Sequence, residues 1–131
     1  MIKEFVPYDC ALALKELGFD EYSMGTFSKD TLVISIPVKR NSDFIGQSDL
    51  IVSPLYQQAF RWFREKHGLI GLPRRDPSIN YNGWWFEIFE QKIKSDNPIS
   101  LDDSDYINFD TYEEAELECL KQLIKVVKEK T

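Results

Sequence analysis

The chain has 131 residues and a formal net charge of −6, with 43% hydrophobic, 29% charged and 14% aromatic residues. That length suits one domain over 1–131, which can bury about two thirds of its unfolded-chain surface without staples. The acidic balance argues against generic binding to nucleic acid or anionic membranes, and the aromatic content argues against disorder.

The first residues, Met1 to Pro7, hold no apolar run of signal-peptide length. No stretch approaches the ~20 apolar residues that span a bilayer. These readings lead to the expectation of a cytoplasmic protein, with no membrane association, whose two cysteines, Cys10 and Cys119, are buried and reduced.

Pro7 to Gly18 reads as a first helix, with Pro7 in its first turn and Gly18 at the C′ position. Cys10, Ala13, Leu14 and Leu17 share one face, and Phe19 is placed to pack back on the last turn. Thr31 to Val38 alternates Leu32, Ile34 and Ile36 with Val33, Ser35 and Pro37, which is strand periodicity. Pro37 confines that strand to a sheet edge or exit. Glu21 to Phe27 is its expected hairpin partner, across Lys29-Asp30. Arg40 to Asp49 is polar and irregular.

A second helix is expected over 54–67, with Ser53 as N-cap, Pro54 at the first position and Gly68 at C′. Leu55, Tyr56, Ala59, Phe60, Phe63 and His67 fall within an arc of roughly 140°, with Trp62 just outside. Leu69 to Asn82 holds Gly71, Pro73, Pro77 and Asn80, which is loop chemistry. Gly83 to Glu90 reads as a strand with Trp84, Phe86 and Ile88 on one face and Trp85, Glu87 and Phe89 on the other. Ser95 to Ser104 is a polar loop, and Tyr106 to Phe109 a short strand. Thr111 and Glu114 spell a capping box before a last helix carrying Ala115, Leu117, Leu120, Leu123, Ile124 and Val127. Acids in its first half and lysines in its second complement the helix dipole. Its apolar arc spans roughly 200°.

The order α-β-β-α-β-(β)-α defines an α+β fold, a small and mainly antiparallel sheet with about three helices packed on it. Leu55, Phe60 and Phe63 are expected to meet Leu120, Leu123 and Ile124 in its core.

Several words of the sequence occur together: Phe5-Val-Pro-Tyr8, Leu14-Lys-Glu-Leu-Gly-Phe19, Pro54 through Arg64, Trp84-Trp85 with Glu87-Ile88, and Thr111-Tyr-Glu-Glu-Ala115. In these the chain resembles small uncharacterised proteins of phages and prophages. The resemblance implies a mobile-element protein made in a bacterial cytoplasm. It brings no activity and no functional residue.

The residues exclude several chemistries. His67 is the one histidine, at the end of an apolar helix face, which suits packing or helix capping better than ligation. Cys10 and Cys119 form no Cys-x-x-Cys pair, so zinc and thiol chemistry are not expected. Asp102-Asp-Ser-Asp105 opens like a calcium loop but puts Ile107 where glycine is required. No glycine-rich phosphate loop is present. Glu87 and Glu90 read as surface residues. No catalytic residue, metal or cofactor is therefore assigned.

What remains is association. Trp85 and Phe89 are the expected anchors of a protein-binding or homodimer surface, because strand 84–89 carries large apolar side chains on both faces. The alternative is a nucleic-acid accessory role through Arg61, Arg64, Arg74 and Arg75 with exposed aromatics.

Overall fold

The computed structural model describes residues 2–75, 83–91, 98–99 and 108–130. Their elements run α1 (Tyr8–Glu16), β1 (Ser23–Ser28), β2 (Thr31–Lys39), β3 (Leu50–Ser53), α2 (Tyr56–His67), β4 (Leu69–Arg75), β5 (Trp84–Glu90) and α3 (Tyr112–Lys130). Short 3-10 turns lie at Ile2–Glu4 and Asn41–Phe44. The fold is α+β with antiparallel strands, as the periodicities require. The strands divide into two sheets, ordered β2-β1-β3 and β4-β5. Contacts separate two units, Met1–Ala59 and Phe60–Thr131, the division falling within α2.

In the first unit, α1 ends as its glycine dictates. Gly18 adopts φ +96°, and the Phe19 amide donates to the Leu14 carbonyl at 2.9 Å. This turns Phe19 inward, where it is buried with Cys10, Ala11 and Leu14. β1 pairs with β2 and β3, setting Gly25 opposite Ile34 and Ser53, and Phe27 opposite Leu32 and Ile51. Phe5 lies directly over Gly25, where an added Cβ would sit 2.6 Å from its ring. Tyr8 of α1 meets Phe27 edge-on at 5.5 Å.

β3 lies in a stretch that offers too short a run to show a period. It is held by side chains distant in sequence. The Val52 amide donates to Asn41 Oδ1 at 2.9 Å, and Asn41 Nδ2 donates to the Phe19 carbonyl at 2.9 Å. Ser53 is the last residue of this strand and not the N-cap of α2. Its hydroxyl donates to the Val6 carbonyl at 2.7 Å, and its own carbonyl accepts from the Ser23 hydroxyl at 2.8 Å. The helix consequently starts at Tyr56, and Leu55, expected in the core, is 37% exposed.

In the second unit, β4 and β5 pair from Leu69↔Glu90 to Arg75↔Trp84. The reading of Leu69 to Asn82 as loop is therefore corrected for 69–75, and the rest of it lies outside the described residues. Gly71 explains why turn-type residues make a strand here. Its α-carbon faces Cys119 Sγ, Leu123 Cδ1 and Phe60 Cε1, which a Cβ would approach to 2.8, 2.9 and 3.1 Å. Gly71, Ile88, Phe86 and Trp84 line the face toward α3. Trp84 meets Tyr112 edge-on at 5.4 Å, and Phe86 stacks on Phe109 at 6.3 Å.

Phe109 also exchanges backbone hydrogen bonds with Trp84, at 2.9 and 2.7 Å. Tyr106 and Ile107 of the expected 106–109 strand, and Asp102 to Asp105, lie outside the described residues. At α3 the N-cap half of the expected capping box forms, the Glu114 amide donating to Thr111 Oγ1 at 3.2 Å, while the Glu114 carboxylate accepts the Thr111 hydroxyl at 3.2 Å. Phe60, Trp62, Phe63, Leu120, Leu123 and Ile124 are all buried.

Candidate interaction surfaces

Alternation along β4 and β5 sorts the candidate residues. One face is spent on α3. The other carries Ile70 opposite Phe89, Leu72 opposite Glu87, and Arg74 opposite Trp85. Trp85 and Phe89 thus share a face and are both half-buried. Between them lies Glu87, which is 8% exposed, contrary to its reading as a surface acid. Arg74 Nη1 reaches its carboxylate at 2.9 Å. A carboxylate so enclosed is tolerated when a charged donor satisfies it. The sequence carried no signal for this pair, because it forms across the ladder between residues of two different elements.

The four arginines do not form one stacking platform with the tryptophans. Arg74 and Arg75 are neighbours on a strand, so they point to opposite sides of the ladder, beside Trp85 and Trp84 respectively. Trp84 is engaged by Tyr112, and the charge of Arg74 is met by Glu87. Arg61 and Arg64 are exposed on α2.

Arg64 reaches a separate open cleft of about 510 Å³ at the C-terminal end of α2, lined also by Lys66, His67, Glu90, Gln91 and Lys130. Lys130 Nζ binds Glu90 at 2.7 Å across it. His67 packs edge-on against Trp62 at 4.9 Å and tilted against Phe63 at 5.9 Å. Burial, and then the charge of Lys130, hold its pKa below the ordinary 6.5. The unfolded chain then binds the proton more tightly than the native one. The His67 contribution to stability is complete above pH 6.5 and is lost as pH falls through the native value. As the one histidine of the chain, His67 gives a single imidazole resonance. Its NMR titration should show a midpoint below 6.5, and a midpoint at or above that value would refute this environment.

Cys10 and Cys119 are both buried and neither is in a disulfide. Burial, reinforced by Glu116, pushes the Cys119 thiol far above the ordinary range, which leaves it un-ionised and inert. Among the described residues no three His, Cys, Asp or Glu side chains gather at metal-binding distance. No helix among them is long and apolar enough to cross a membrane.

The first unit carries a second exposed apolar feature that sequence periodicity did not single out. Val33, Ile34, Ile36 and Val38 of β2 are all exposed, Ile36 to 86%. β2 is the outer strand of its sheet. The edge position agrees with the Pro37 reading, whereas the exposure of these apolar side chains does not follow from alternation.

No protein-family model, curated protein or solved structure matches this chain.

Proposed function

We propose that the chain is a non-enzymatic interaction module that binds protein, a second copy or another partner, through the Trp85–Phe89 face. The observation that carries this reading is the composition of that face. Two large half-buried aromatics flank a buried Glu87 carboxylate paired with an exposed Arg74, and aromatic and arginine side chains dominate binding energy at protein interfaces. The resemblance to phage and prophage proteins sets the proposed context, a mobile-element protein acting in a bacterial cytoplasm. The nucleic-acid alternative has less support, because Arg74 is neutralised and the Arg–Trp neighbours lie on two sides of the ladder.

A specific interface should bury about 1,200–2,000 Å² in total. Sedimentation equilibrium and protein capture are to be compared for wild type and Trp85→Ala. Association should weaken by at least about tenfold in the variant. If neither self-association nor capture changes, the face is not the binding surface. Retention of nucleic acid that fails in Arg61→Ala/Arg64→Ala and not in Trp85→Ala would replace this reading with the alternative.

A further inference from the structure

Apart from the Trp85–Phe89 face, we propose that the cleft at the C-terminal end of α2 binds a phosphate dianion, free or as the terminal group of a small molecule. The cleft measures about 510 Å³, within the range of small-ligand sites. Three elements of the second unit build it. α2 brings Arg64, Lys66 and His67, the end of β5 brings Glu90 and Gln91, and the last turn of α3 brings Lys130.

Helix geometry and pairing leave this cleft positive in a chain of net charge −6. Arg64 and His67 stand about 60° apart around α2, and Glu65 stands about 160° from His67, across the helix. The other acid, Glu90, is spent on Lys130 at 2.7 Å. Arg64 enters no ion pair among the described residues, and a guanidinium offers five N–H donors. Lys130 gives one of its three donors to Glu90.

His67 is the fixed part of the site. Its ring packs on the buried rings of Trp62 and Phe63, so little side-chain freedom is left to lose when a ligand enters. Cations at a helix C-terminus complement the dipole without any ligand, but His67, kept neutral by burial and by Lys130, does not serve that end. An anion in the cleft offsets the Lys130 charge and favours the imidazolium, which adds a donor. The donor set selects phosphate. A guanidinium, an ammonium and an imidazolium from two helices exceed what the two oxygens of a carboxylate can align, whereas a phosphate dianion presents three oxygens and a second charge.

The test is an NMR titration of the whole chain with inorganic phosphate, against chloride at equal ionic strength, following the His67 imidazole and the backbone amides. Phosphate should raise the His67 midpoint and shift the Gly68 and Gln91 amides to saturation, and chloride should do neither. Arg64→Ala, at an exposed position, should weaken phosphate binding by at least about tenfold. Trp85→Ala should leave it unchanged, which separates this site from the face described above. Methyl phosphate binding as well as phosphate identifies a terminal group on a larger molecule as the ligand, and binding about tenfold weaker identifies the free ion. A His67 midpoint that phosphate moves no further than chloride overturns the proposal. So does phosphate binding that Arg64→Ala leaves unchanged. Equal binding of dimethyl phosphate, a monoanionic diester, also overturns it, in favour of contact with a nucleic-acid backbone.

Discussion

Phe63→Ala should cost about 3–5 kcal/mol of stability, read from urea-unfolding midpoints at unchanged slope. Phe63 is completely buried, and its ring lies 5.1 Å from Trp62 and 5.9 Å from His67, so truncation removes aromatic contacts and leaves a cavity. Leu55 supplies the comparison. Helical spacing puts both residues on one apolar arc, yet Leu55 is 37% exposed. Leu55→Ala should therefore cost under about 1 kcal/mol. Equal losses at the two positions would mean that burial does not distinguish them. A Phe63 loss below about 1 kcal/mol would remove it from the core.

Gly25→Ala should destabilise by the opposite mechanism, adding one methyl where no volume exists. The new Cβ would meet Phe5 Cδ1 at 2.6 Å, Phe5 Cε1 at 2.7 Å and the Ser53 carbonyl oxygen at 2.7 Å. A phenyl ring can tilt away. The Ser53 oxygen cannot, because it belongs to the strand paired with Gly25 and accepts the Ser23 hydroxyl. Relief requires β1 and β3 to part, so the cost should lie at the upper end of overpacking, about 3 kcal/mol. Gly71→Ala is the informative contrast. Its three near atoms all belong to side chains, Cys119, Leu123 and Phe60. They can yield by small rotations, which should hold the loss to about 1 kcal/mol. Thermal unfolding of the two variants side by side checks the order. A Gly25→Ala protein as stable as wild type would show that the Phe5 and Ser53 contacts are not tight.

The candidate site divides in the same way between local and long-range causes. The alternation in Trp84 to Phe89 places Trp85 and Phe89 on a common face without reference to any other element, because a strand turns successive side chains to opposite sides. Which face would be spent on α3 is not local information. It depends on Gly71, whose missing side chain lets Cys119 and Leu123 approach one side of the ladder. The partner of Glu87 is equally non-local, since Arg74 lies in a stretch whose glycine and prolines read as loop. The exposed side chains of β2 are the converse case. Val33, Ile34, Ile36 and Val38 read from sequence as residues of an alternating strand, and in the structure they stand in solvent on β2, at the end of the order β2-β1-β3.

By itself, the sequence determined those elements whose signals are covalently close. The Gly18 C′ turn of α1, the Thr111–Glu114 start of α3, and the alternating strands β2 and β5 each follow from caps or from a period of two acting within one segment. It determined equally that this is an α+β chain of antiparallel strands. Tertiary structure alone decided the remainder. Ser53 has the chemistry of an N-cap, but its hydroxyl is drawn to the Val6 carbonyl, so the helix begins two residues later than expected, at Tyr56. β3 exists because Asn41 and β1 bond its two sides, and β4 because β5 supplies a partner and α3 accepts the bare surface of Gly71. The physical reason is common to all three. A local preference is worth about 1 kcal/mol or less, and a buried backbone group left unpaired costs about as much or more. Where a distant segment satisfies that group, the distant segment wins.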